Sequence, residues 1–538
     1  MAAAGAEEPR APASPSGWLL DRARPLFDHL ENAPVGFGYF CLSIVCVINL
    51  RTMTEQFTNG TRLNAFDLIT YVHFLLFYVT LGMAFALVWY AVTGEDMRKI
   101  ARVITASGTI FLLPPLIDYA VSLGRGYDIS YLLPGVHDDL VARYFTFFGD
   151  MSVVIPGAEP VRKEMGITPG IRVETALFML ESYLYCYGKT GRRRRGLAAA
   201  LLTYTVGFLF AIPPFLIKWL LALAGLPYQL TQARLAYFFA LLLFVIGPPI
   251  WILTNEEHYQ RLTGDLRPAR LLHRLAMPLL GLLLGLRFAT FAFTAETLAR
   301  LSCVAVAVIC YDLYTVVLEG AGDAAARGDP VPYPEALAWL LAGVAVGYAA
   351  LVDFNACCLV GLCIGNHYLY AMYPLRLTRV PLLGQLILAV NALFLTLVGF
   401  HLLGAGGDAF PRGVVALYLL GGTALLNVTD LAPGGAPDRL TLPRLLGLPA
   451  ARLLIGLAFI GGYLAAGLLL TRGYWAAALY FVGLLQFYLV HRPRYRAGAI
   501  GAAHCAALLL VMGCLYAGAA TGSEGLRVGA AAGGAARC

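Results

Sequence analysis

Two acids, Asp312 and Glu319, stand seven residues apart with Thr315 between them. Seven residues make two helical turns, so all three share one face of a helix. A second polar pair, Asn427 and Asp430, is three residues apart and also shares a face. Arg376 and Arg379 lie between the two groups, and Asp323, Tyr370, Asp438 and Arg439 are close to them in sequence. Two acid-bearing helix ends can hold Mg²⁺, which takes a few oxygen ligands together with substrate phosphates. A metal on a diphosphate stabilises the charge that builds as it leaves, and the arginines would hold the same group. The same residues would serve equally as ordinary polar ends of helices at a membrane surface, and spacing alone leaves both readings open.

The elements that must position these groups are apolar. The chain has 538 residues, 59% of them hydrophobic and only 13% charged, against roughly 25% charged in a soluble protein. Its mean hydropathy is +0.71. So few charges cannot cover a soluble surface of this size, and the pattern predicts an all-α polytopic membrane protein with the lipid bilayer as solvent. The net charge of +7 is concentrated in short loops, which points to membrane orientation rather than to nucleic acid. The 11 cysteines show no paired CxxC spacing and read as small buried hydrophobes.

A spanning helix needs about 20 mostly apolar residues. The apolar runs predict about fifteen spans. Six lie near 34–50, 68–92, 104–123, 171–187, 197–223 and 235–253. Nine more lie near 275–293, 298–318, 336–352, 356–373, 382–403, 414–428, 453–470, 474–490 and 498–516. Basic loops at 98–102, 192–195, 261–274, 376–379 and 491–496 then share one side, which the positive-inside rule makes cytoplasmic. The predicted organisation is a disordered cytoplasmic tail over 1–33 and a membrane domain over 34–254. A cytoplasmic linker over 255–273, a nine-helix domain over 274–520 and a flexible tail over 521–538 follow. The expected location is the plasma membrane, with the acidic helix ends in the cytoplasm.

The C-terminal block resembles the UbiA superfamily of membrane prenyltransferases, in nine helices with polar motifs after the second and sixth. Asp312, Thr315 and Glu319 occupy the first motif. The run Tyr370-Ala-Met-Tyr373-Pro374-Leu-Arg376-Leu-Thr378-Arg379-Val-Pro381 is similar to the segment that follows it in the family. Asn427 and Asp430 lead to Thr441-Leu442-Pro443-Arg444-Leu-Leu446-Gly447 at the family's spacing. The resemblance spans about 267–516, roughly half the chain. It implies transfer of an isoprenyl group from an isoprenyl diphosphate to an aromatic or lipid acceptor. Mg²⁺ would be held through Asp312, Glu319, Asn427 and Asp430, with Arg376 and Arg379 on the diphosphate. The chain departs from the pattern at Thr315 and Asn427, where the family has aspartates, and at Gly434. These departures open a second reading, a non-catalytic or lipid-transport protein on the same scaffold.

Three features of the N-terminal half stand out. Pro114-Pro115 predicts a broken or kinked helix, with Asp118 either satisfied at its end before a turn at Gly124–Gly126 or joined with Arg125 and Asp128 in a pocket on the outer face. Glu174 and Glu181 share a face, and Glu181 in its apolar run predicts a partner on a neighbouring helix. Asn59-Gly-Thr61 is a sequon in an expected outer loop.

Overall fold

A computed structural model describes residues 15–508 except 36, 59–67, 127–143, 146–167, 214–215, 218–221, 224–231, 287–293, 328, 330, 373–374, 378–379, 381, 403–409, 429–430, 432–440, 471–473, 493–498, 505 and 507. The described residues are mostly helical, with no strand among them. The chain divides into two compact units, Met1–Gln260 and Arg261–Cys538.

The first unit holds α1 (Pro15–Glu31), α2 (Phe37–Thr58), α3 (Leu68–Thr93), α4 (Met97–Ser107), α5 (Leu113–Val121), α6 (Pro169–Thr190), α7 (Arg193–Ala211) and α8 (Gln232–Thr254). Residues 15–31, expected in a disordered tail, form α1 instead. Phe27 explains this: it is buried and meets Tyr185 edge to face at 5.4 Å, so the apolar side of α1 has a surface to cover. The predicted Pro-Pro break is a 3₁₀ turn over Gly108–Leu112 between α4 and α5, with the two prolines in the first turn of α5, where a missing N–H costs nothing. An aromatic core of Phe74, Phe85, Phe111, Phe178, Phe210 and Phe239 joins these helices. The sequon at Asn59 lies outside the described residues.

Next come α9 (Glu256–Asp265), which runs across the unit boundary, and α10 (Pro268–Gly285), α11 (Ala295–Arg327), α12 (Glu335–Val352), α13 (Phe354–Ala371) and α14 (Leu383–His401). They are followed by α15 (Arg412–Ala416), α16 (Thr423–Val428), α17 (Leu442–Leu446), α18 (Leu448–Leu470) and α19 (Tyr474–His491). A π-helical stretch, Leu417–Gly422, joins α15 to α16. Residues 255–273, read as a linker and basic loop, are largely helical. Pro268 starts α10 at its first position, where its fixed φ suits a helix start.

Seven described helical stretches are long and apolar enough to cross a membrane: Tyr71–Thr93, Met97–Val121, Ala233–Thr254, Glu296–Ala325, Glu335–Val352, Leu383–His401 and Leu448–Leu469. That is fewer than the fifteen expected. Several runs counted as spans are helices that carry polar side chains. Arg172, Glu174, Glu181 and Lys189 lie within α6, Arg51 and Glu55 within α2, and Asn366 and His367 within α13. The expected span at 498–516 is described only as far as 508.

Candidate functional site

α11 is the most enclosed of the seven candidate spans, with 72% of its apolar window buried. It presents Asp312, Thr315, Glu319 and Asp323 along one side, at the i, i+3, i+7 and i+11 spacing of a helical stripe. Facing them is α10, which carries Arg270 and Arg274 one turn apart. Arg274 Nη1 meets Asp312 Oδ1 at 2.6 Å and donates to Thr315 Oγ1 at 2.7 Å. Arg270 Nε lies 3.1 Å from the same Asp312 oxygen, and its Nη1 lies 3.0 Å from Glu319 Oε2. Thr315 donates to the Asp312 carbonyl at 2.7 Å. His367 Nε2, fully buried on α13, faces Glu319 Oε1 at 3.4 Å. The result is an interleaved ladder of two arginines, two acids and a hydroxyl.

Helix docking fixes the height of the arginines. A Cβ on Gly281 of α10 would fall 1.7 Å from the Thr396 carbonyl oxygen of α14. One on Gly399 would fall 1.8 Å from the Pro278 carbonyl oxygen. The two backbones touch, as small residues allow between membrane helices. α10 therefore has one register against α14, and Arg270 and Arg274 come to rest at Asp312.

The ladder borders a cavity of about 330 Å³. Arg267, Arg270, Arg274 and Arg376 line it together with Glu319 and Asp323. Met277, Leu388, Leu395, Leu425, Leu426 and Leu508 make its apolar wall. Tyr311, Tyr370, Asn391, Tyr418 and His504 add polar edges. Several of these are held in place: Asn391 Nδ2 donates to the Tyr311 hydroxyl at 3.0 Å and its Oδ1 accepts from Asn366 at 2.9 Å. The Arg274 guanidinium sits 4.9 Å from the centre of the Tyr311 ring, a cation–π contact. Arg376 is buried, reaches Asp323 at 3.4 Å, and has φ +37°. A non-glycine residue in the left-handed region is strained, and such strain gathers at sites.

Of the expected site residues, Glu319, Asp323, Tyr370 and Arg376 share this cavity. Asp312 is fully buried behind the arginines and is not among the lining residues. Asn427 is buried but donates to the Thr423 carbonyl at 2.8 Å, while its neighbours Leu425 and Leu426 face the cavity. Arg379, Asp430, Asp438 and Arg439 lie outside the described residues. Among the described residues, no three His, Cys, Asp or Glu side chains come together as a metal site would require. The first motif also fits Mg²⁺ poorly as a donor set. Asp312 Oδ1 already accepts from Arg274 and Glu319 Oε2 from Arg270, and Thr315 offers a neutral hydroxyl where the resemblance implies an acid.

Arg267, Arg270 and Arg274 lie in the stretch 261–274 that the sequence offers as a basic loop. Their signal was present: two arginines at i, i+4 directly before an apolar run, in phase with a helix that starts at Pro268. Asn391 and His367 carried another, since polar side chains inside apolar runs are functional candidates by default.

The first unit has a buried polar cluster of its own. Arg51 Nη1 donates to the Phe111 carbonyl at 2.7 Å and pairs with Glu174 at 3.1 Å, while its Nε lies 3.7 Å from Glu55. Asp118 is buried and accepts from the Gly170 N–H at 2.7 Å. Glu181 accepts from the Ser107 hydroxyl on α4.

Neither a known protein family, nor a curated protein, nor a solved structure matches the chain.

Proposed function

We propose that the C-terminal unit binds an isoprenyl diphosphate and transfers its isoprenyl group to an aromatic or lipid acceptor in a membrane. One observation carries the reading: four arginines and a wall of aliphatic side chains line the same cavity. That combination suits an amphiphile with an anionic phosphate head. The diphosphate would rest against Arg267, Arg270, Arg274 and Arg376, and the chain along Met277, Leu388 and Leu395. The allylic C–O bond would break with both electrons going to the departing diphosphate oxygen. Preorganised guanidinium groups would stabilise that charge in a low-dielectric site. The acceptor would attack the carbocation and lose a proton. Under the positive-inside rule the arginine end would face the cytoplasm.

A second reading is a protein that binds or moves a phosphorylated isoprenoid without turning it over. It is favoured by the ion pairs that engage Asp312 and Glu319.

The test uses full-length protein in lipid nanodiscs with radiolabelled farnesyl diphosphate, a lipid extract as acceptor, and Mg²⁺ present or chelated. Release of inorganic pyrophosphate with a prenylated product supports transfer. Tight binding without turnover supports the second reading. No binding in either condition sinks both.

A further inference from the structure

The face of α11 that the sequence sets out for a divalent cation already holds fixed cations. Asp312 has no exposure and lies behind the cavity wall. Its Oδ1 takes Arg274 at 2.6 Å and Arg270 at 3.1 Å. Thr315 stands one turn along, where a third acid would continue a metal cradle. Its hydroxyl is a weak replacement for a carboxylate toward Mg²⁺, which prefers charged oxygen. It is a good partner for a guanidinium, accepting from Arg274 at 2.7 Å while donating its own O–H to the Asp312 carbonyl. Glu319 is likewise divided between Arg270 and His367. The departures at Thr315 and the arginines of α10 therefore belong together, each making sense of the other.

A guanidinium carries five N–H donors in a planar fork suited to phosphate oxygens. The contacts with Asp312, Thr315 and Glu319 use only part of that set, and both arginines line the cavity. We propose that Arg270 and Arg274 take the place of a divalent metal, so that the C-terminal unit grips a diphosphate head group directly and without Mg²⁺. Asp312, Thr315 and Glu319 are then positioning residues that aim the two guanidinium groups into the cavity. The inference rests on the reading that the cavity takes an isoprenyl diphosphate.

The experiment measures equilibrium binding of farnesyl diphosphate, farnesol and inorganic pyrophosphate to full-length protein in nanodiscs, in EDTA and in Mg²⁺. The expected result is farnesyl diphosphate affinity that is equal in the two conditions. Arg270→Gln, and Arg274→Gln combined with Asp312→Asn, should each lose at least about tenfold in farnesyl diphosphate affinity, as expected for lost charge-assisted hydrogen bonds. Farnesol binding should persist in both variants, which shows that the cavity is still folded. The paired replacement removes both charges together and so leaves no lone buried ion. Thr315→Ser should retain binding and Thr315→Val weaken it, a split that packing alone would not produce. Pyrophosphate should compete with farnesyl diphosphate and leave farnesol in place. Binding of farnesyl diphosphate only when Mg²⁺ is present overturns the inference and leaves the proposed function standing. Binding of farnesol alone, with no preference for the diphosphate in either condition, overturns both.

Discussion

The two units bury acids in apolar surroundings but use them differently. In the first unit, Arg51 is drawn into packed helices by Glu174, Glu55 and the Phe111 carbonyl. Asp118 ties Gly170 to α5, and Glu181 ties α6 to Ser107. Glu174, Asp118 and Glu181 each close a contact between helices, and Glu55 braces Arg51 from the next turn of α2. In the second unit, Asp312 and Glu319 hold Arg270 and Arg274 at the wall of a cavity. There the acids serve the arginines, and the arginines face a space a ligand could fill. A buried ion pair is weak evidence for stability, since desolvation opposes the attraction. What separates structural pairs from functional ones is what lies on the far side of the cation.

The comparison breaks first at Arg51. Arg51→Leu leaves Glu55 and Glu174 buried without their guanidinium, a change that costs about 3–5 kcal/mol. Thermal unfolding in detergent should show the loss, while farnesyl diphosphate binding by whatever protein remains folded should be unchanged. A variant that unfolds no earlier than wild type would mean that the cluster is solvated and the contrast false.

The next largest effect is expected at the α10–α14 crossing. Gly281→Ala or Gly399→Ala drives a methyl into backbone less than 2 Å away, so a cost of about 3 kcal/mol is expected, at the upper end for overpacking. Because this contact sets the height of Arg270 and Arg274, binding should fall together with stability. Binding that survives would detach the arginines from the register of α10.

Replacing a whole buried pair separates the units more finely. Asp312→Asn with Arg274→Gln should shift stability by about 1 kcal/mol or less, because exchanging both partners is often neutral. Its main effect should be on binding. A loss as large as that of Arg51→Leu would place this pair among the structural ones.

The smallest effect is expected from Glu181→Gln. The amide keeps the shape of the acid and can still bond to Ser107, so stability should stay within about 0.5 kcal/mol. A larger change, read by the same unfolding measurement, would show that the charge on Glu181 matters and bring the first unit closer to the second.

The amino-acid sequence by itself determined the helical class, the apolar segments and the face shared by Asp312, Thr315 and Glu319, because these follow from composition and a 3.6-residue period within one stretch of chain. It also marked the break at Pro114-Pro115 and the pairing of Glu181 with another helix. It misjudged 15–31, where low hydropathy was read as lack of structure, and it named no helix within 255–273, the stretch in which the two units divide at Gln260–Arg261. α1 is held by Phe27 against Tyr185, and α10 by glycine contacts with α14, partners more than 100 residues away that no local pattern reveals. It likewise gave the acids no partner. Whether a carboxylate faces a metal, a substrate or an arginine depends on which helix lies opposite, and only the tertiary structure set α10 there. The docking of two glycines decided that Asp312 meets Arg274.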